Sequence, residues 1–99
     1  MWHTHEFFIP KNHASAAGHF PGDPIVPGAL LLDAILVSII GEQDEIVLSV
    51  VKCLRTVRFG TLLQLRWQRQ GGQWRFECLL AGDGMPVLLG RLAPASVTS

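Results

Sequence analysis

From Pro27 to Ile40 every residue is apolar or small except Asp33 and Ser38. An unbroken run of that length predicts a helix over about Gly28–Ile40, roughly 20 Å long, with Pro27 suited to its first turn and Gly41 as its stop. A helix that is hydrophobic all round is expected to be buried all round, so Asp33 would be a carboxylate carried inside, in need of a partner or a use.

The rest of the chain reads as strands. Trp2 to Ile9 holds β-formers and is closed by Pro10; Glu45 to Leu54 is rich in Ile, Val and Leu and is expected to be covered on both faces for part of its length. Thr61–Gln70 and Gln73–Ala81 alternate on either side of Gly71-Gly72, a strong two-residue hairpin signal. A loop of two residues sets Trp67 opposite Phe76, Leu65 opposite Cys78 and Arg66 opposite Glu77, so apolar meets apolar and opposite charges meet. Gly82-Asp83-Gly84 predicts another turn and Met85–Leu92 a last strand, with Pro86 near its start and Ala93–Ser99 as a frayed tail. One early helix followed by antiparallel strands gives an α+β domain spanning 1–99, in which the sheet must wrap the helix because no other element can cover it.

Composition adds two points. A hydrophobic fraction of 48% in 99 residues exceeds what one small core hides, which predicts a subunit interface. Charge sums to zero but is divided: residues 1–45 carry Lys11 against Glu6, Asp23, Asp33, Glu42, Asp44 and Glu45, a net of −5, and residues 46–99 carry +5. The helix run is too short for a membrane span and the N-terminus lacks a signal-peptide pattern, so a cytoplasmic protein is expected. Cys53 and Cys78 fall on separate predicted strands and are expected to be reduced, packed thiols. His3, His5 and His13 read as solvated residues before they read as metal ligands.

Ahead of the helix, Pro21, Pro24 and Pro27 with Gly22 and Gly28 hold the chain extended and deliver His19 as a fixed loop residue. Gly28 leaves backbone N–H groups open at the helix start. A base, a polarising amide and an acid thus stand in one short stretch, although such residues taken singly also suit a loop histidine and an aspartate paired with Arg55 or Arg58.

Gly18-His19-Phe20-Pro21-Gly22-Asp23-Pro24-Ile25-Val26-Pro27-Gly28, followed by Leu32-Asp33, resembles the active-site signature of the FabA/FabZ-type 3-hydroxyacyl-acyl-carrier-protein dehydratases. Lys52 to Gly60 resembles a second family segment, with Cys53, Thr56 and Phe59 in place of a phenylalanine and two prolines. The acid is Asp, as in the FabA branch. The resemblance implies a hotdog fold, an antiparallel β-sheet wrapped around one central α-helix. It implies His19 and Asp33 as the catalytic pair, Gly28 as the donor to the thioester carbonyl, and Phe20, Pro27 and Leu32 as substrate contacts. No metal or organic cofactor is implied. The expected reaction is dehydration of a (3R)-hydroxyacyl carrier-protein thioester to the trans-2-enoyl thioester, in fatty-acid or related lipid or polyene biosynthesis.

In that family the histidine of one subunit works with the acid of its mate, so a homodimer or higher even oligomer is expected. The acyl carrier protein is the expected partner, landing on Arg55, Arg58, Arg66, Arg69 and Arg75; nothing points to nucleic acid. Two alternatives are kept: a hotdog acyl thioesterase, and a non-catalytic subunit that binds the carrier protein or pairs with an active dehydratase.

Overall fold

The structure is a computed structural model that describes residues 1–10, 25–41 and 46–94, with backbone only at 46–49 and 94. Its elements are β1 (His3–Phe7), α1 (Gly28–Ile40), β2 (Ile46–Cys53), β3 (Leu63–Gln70), β4 (Gln73–Leu80) and β5 (Pro86–Pro94). The five strands form one antiparallel sheet in the order β1-β3-β4-β5-β2. The three last strands to be made form a meander at the centre, and the strands flanking the helix in sequence become the two edges.

The β3–β4 hairpin has the register its sequence predicts, with Trp67 opposite Phe76, Leu65 opposite Cys78 and Arg66 opposite Glu77. Its turn requires both glycines: Gly71 and Gly72 have φ of 56° and 84°, the mirror-image turn that matches the twist of the flanking strands. Alternation along the strands separates two faces. Leu63 and Leu65 of β3, Phe76 and Cys78 of β4 and Leu88 and Leu92 of β5 are buried together with Leu31 and Ile35 of the helix. Gln64, Arg66, Gln68, Arg75, Glu77, Leu89 and Arg91 alternate with them and face away from the helix.

Four sequence expectations are corrected. The helix is not buried all round: Ala29, Asp33 and Val37, spaced by four, are exposed, because the sheet of one chain reaches only one side of the helical cylinder. Strand β2 is an edge, and of its described side chains only Val51 is half-buried against the core, whereas Val50, Lys52 and Cys53 are exposed rather than covered on both faces. The last strand does not end at Leu92, since Ala93 and Pro94 pair with Val47 and Ile46. Cys53 is not packed; it is exposed while Cys78 is buried, and both thiols are free. Leu88 stands between them in register, opposite Cys53 on one side and Cys78 on the other, and two strand spacings exceed the reach of a disulfide.

The tail at 95–99 and the loop at 11–24, with His13, lie outside the described residues. Among the described residues no helix is long and apolar enough to cross a membrane.

Candidate active site

The described part of the site is the start of α1 and the segment that seats it. Val26 N–H donates to the Val57 carbonyl at 2.9 Å and Ile25 forms an isolated bridge with Arg58, so residues 25–26 are tied to the segment that follows β2. Val26, Val57 and Phe59 are buried. Thus Phe59, which stands where the family segment has a proline, serves as core. Pro27 has φ of −59° and ψ of 140°, extended rather than helical, and its carbonyl accepts from Leu30 and Leu31 N–H at 3.0 and 3.1 Å. Pro27 therefore stands one place before the first turn, and Gly28 is the first helical residue.

Among the described residues no side chain caps this end of the helix, and no acid lies in its first turn. The Gly28 N–H is one of the donors an α-helix leaves without an intrahelical partner, and it points with the positive end of the peptide dipoles. A Cβ placed on Gly28 would meet the Cys53 Sγ at 3.8 Å, ordinary van der Waals contact. The thiol that replaces the family's phenylalanine therefore lies beside the glycine of the signature.

Asp33 follows five residues later, about 7.5 Å along the axis. It is exposed, on the uncovered stripe with Ala29 and Val37. The desolvation expected from its leucine neighbours is absent in the single chain: Leu31 turns into the core, and Leu32 is half-buried. His19 and Phe20 lie outside the described residues, so the structure brings together Gly28, Pro27, Leu32 and Asp33 of the expected site.

The five arginines do not share one surface. Arg55 and Arg58 lie in the segment beside the helix start, where Arg55 Nε donates to the Pro86 carbonyl at 2.9 Å. Arg66 faces away from the helix, with its Nη1 3.4 Å from Glu77 Oε1 and its guanidinium 4.6 Å from the centre of the Trp2 ring. Arg69 lies over Trp74 at 4.6 Å, on the helix side of the sheet. Arg75 stands opposite Arg91. His3 stacks on Trp67 at 5.5 Å between ring centres. Among the described residues no three His, Cys, Asp or Glu side chains are grouped as for a metal ion.

No family model matches the sequence, and no curated protein matches it. Solved structures do match the fold. A chain of the dehydratase heterocomplex ApeI:P from Xenorhabdus doucetiae superposes with a TM-score of 0.75 at 16% identity, over 96% of this chain and 88% of that one. The dehydratase domain from the CurF module of curacin polyketide synthase gives 0.69 at 14% identity, over 99% of this chain and 40% of that one. The fluoroacetyl-CoA thioesterase FlK gives 0.53 at 13% identity, over 95% and 84%. The fold is therefore the hotdog fold, α+β with one helix on an antiparallel sheet, as the signature implied.

Proposed function

We propose that this hotdog chain dehydrates a (3R)-hydroxyacyl thioester carried on an acyl carrier protein, giving the trans-2-enoyl thioester and water. One observation carries the reading. The helix opens at Gly28 with an N–H that no described side chain caps, immediately after the His19–Pro27 motif, and Asp33 stands exposed five residues along it.

Each step then has a group. The imidazole of His19, a side chain suited to proton uptake near neutral pH, takes the C2 proton. The Gly28 N–H, reinforced by the helix dipole, stabilises the enolate-like oxygen that develops on the thioester. Asp33 gives a proton to the departing C3 hydroxyl, directly or through water. The C–H pair becomes the new double bond, and the C–O bond breaks to release water. Phe20, Pro27 and Leu32 would line the acyl path.

A carboxyl group that donates a proton needs protection from bulk water. Asp33 lacks it in the single chain, and an exposed stripe of Ala29 and Val37 flanks it. A second copy covering that stripe would provide it, which supports a homodimer or higher even oligomer with sites across the interface. Exposed Ile25, Val37 and Leu54, each 40–48% accessible, agree with a covered surface of that kind. Sedimentation showing a stable, active monomer at micromolar concentration would refute it.

A second reading is a subunit that works only beside a different dehydratase chain; the neighbour drawn from a heterocomplex favours it. The thioesterase reading is favoured by the FlK likeness. The deciding experiment is one assay of purified protein with 3-hydroxyacyl carrier-protein thioesters of several lengths. Enoyl product without free thiol supports the dehydratase. Thiol release without enoyl product indicates the hydrolase, and activity only after adding a second chain indicates the partner subunit.

A further inference from the structure

Arg75 of β4 and Arg91 of β5 are directly opposed in register on the sheet face that turns away from the helix. Directly opposed residues in an antiparallel pair bring their Cβ atoms to about 5 Å, and like charges there are destabilising. Arg66 shows how this sheet otherwise places a cation: opposite Glu77, and in contact with it. Among the described residues neither Arg75 nor Arg91 has a hydrogen-bonded or ionic partner.

The opposed pair borders open space on both sides. One concavity, of about 320 Å³, is lined by Val50, Lys52, Arg75, Glu77, Leu89 and Arg91. Another, of about 120 Å³, is bounded by Gln70, Gln73 and Trp74 together with the same two arginines. The larger one therefore holds three cations against one carboxylate, and that carboxylate is already met by Arg66. Its apolar walls include Val50 and Leu89, from neighbouring strands, with Phe76 and Gly90 from the two arginines' own strands.

We infer that this face binds a small phosphate monoester, its dianion held between Arg75 and Arg91 with Lys52 as a third cation, and its alkyl part resting on Val50 and Leu89. Guanidinium groups match phosphate oxygens in paired hydrogen bonds, and two of them facing one another give a dianion what a single surface arginine cannot. The bound anion also relieves the repulsion that the register builds in. The site is on the opposite face of the sheet from Asp33 and Gly28, so it is independent of the catalytic reading.

The test uses the whole chain in chloride buffer at constant ionic strength, titrated with inorganic phosphate, butyl phosphate or dimethyl phosphate while melting temperature and amide NMR shifts are followed. Inorganic phosphate should raise the melting temperature, butyl phosphate should act at a severalfold lower concentration, and the diester should be weakest. The amides of Gly90, Arg91 and Arg75 should shift. Arg75→Gln and Arg91→Gln should each weaken binding at least tenfold, and in chloride alone should melt no lower than the parent chain, since each removes a like-charge contact. The inference is overturned if phosphate does no more than chloride, if the diester binds best, if the shifts centre on Gly28 and Ala29, or if both glutamine variants bind phosphate as the parent does.

Discussion

The ring of Phe76 covers Gly90 across the β4–β5 pair, closely enough that no side chain fits at that glycine. A Cβ there would collide with Phe76 Cζ and Cε2 and come within 2.8 Å of the Val50 carbonyl oxygen. Both residues are buried, and the backbone oxygen of β2 cannot move without disturbing the β2–β5 pairing.

Gly90→Ala is therefore expected to destabilise the chain by about 1–3 kcal/mol, the usual cost of overpacking a filled core. Urea unfolding measures it. An unchanged midpoint would mean that the ring and the edge strand yield more readily than a packed sheet should.

His19→Ala and Asp33→Asn are each expected to lower kcat by about two to four orders of magnitude with little change in KM. The double variant should be hardly worse than either single one, because base and acid act as a unit. Asp33 is exposed in the single chain, so Asp33→Asn should alter monomer stability by no more than about 0.5 kcal/mol. Near-full activity in His19→Ala beside a dead Asp33→Asn would favour the carboxylate-dependent thioesterase.

If a carrier protein delivers the substrate to Gly28, the arginines nearest the helix start should matter most. Arg55→Ala with Arg58→Ala is expected to raise KM for carrier-bound substrate several-fold, more at low salt than at high, and to leave a small thioester unaffected. Arg66→Ala and Arg69→Ala should do much less, since one faces Glu77 and the other lies over Trp74. Equal effects from all four would restore a broad basic landing surface.

The two cysteines should differ sharply toward a thiol reagent near pH 8. Cys53 is exposed and should react in the native state, whereas burial pushes the Cys78 thiol up to about 12 and leaves almost no thiolate. The same shift predicts an alkaline effect. The unfolded thiol ionises near 9 and the folded one does not, so this group has no effect on stability below about pH 9 and lowers it as pH rises from there toward 12. Cys78→Ala should flatten that part of the stability curve; an unchanged slope above pH 9 would assign it to other groups.

Much of this was readable from local pattern. Gly71-Gly72 specified both the turn and the pairing of Trp67 with Phe76, because a two-residue loop leaves one register that keeps the apolar face whole. Gly28 and Ile40 bounded the helix as the composition changes there. What failed was anything set by position in the sheet. Nothing within Val50–Cys53 tells an edge strand from a central one, since the difference lies in which neighbour arrives from elsewhere in the chain. For the same reason Asp33 reads as buried in the sequence: its neighbours are apolar, but the described residues of this chain supply no wall on its side of the helix. The opposition of Arg75 and Arg91 depended on the β4–β5 register, where a bulge between Cys78 and Leu79 hides the pairing from a simple count.

The strand order also sets an order of events in time. Gln70 meets Gln73 across a two-residue turn, and β4 meets β5 across a short one, so the β3–β4–β5 meander closes through contacts near in sequence. His3 must find Trp67, and Ile46 must find Pro94, across far longer stretches of the chain. Loop-closure entropy makes such pairings slow, so the meander is expected to form in the rate-limiting step, with the two edges adding afterwards. Phe76 and Gly90 belong to that early nucleus. Changes there should slow folding, whereas changes in β1 should mainly hasten unfolding.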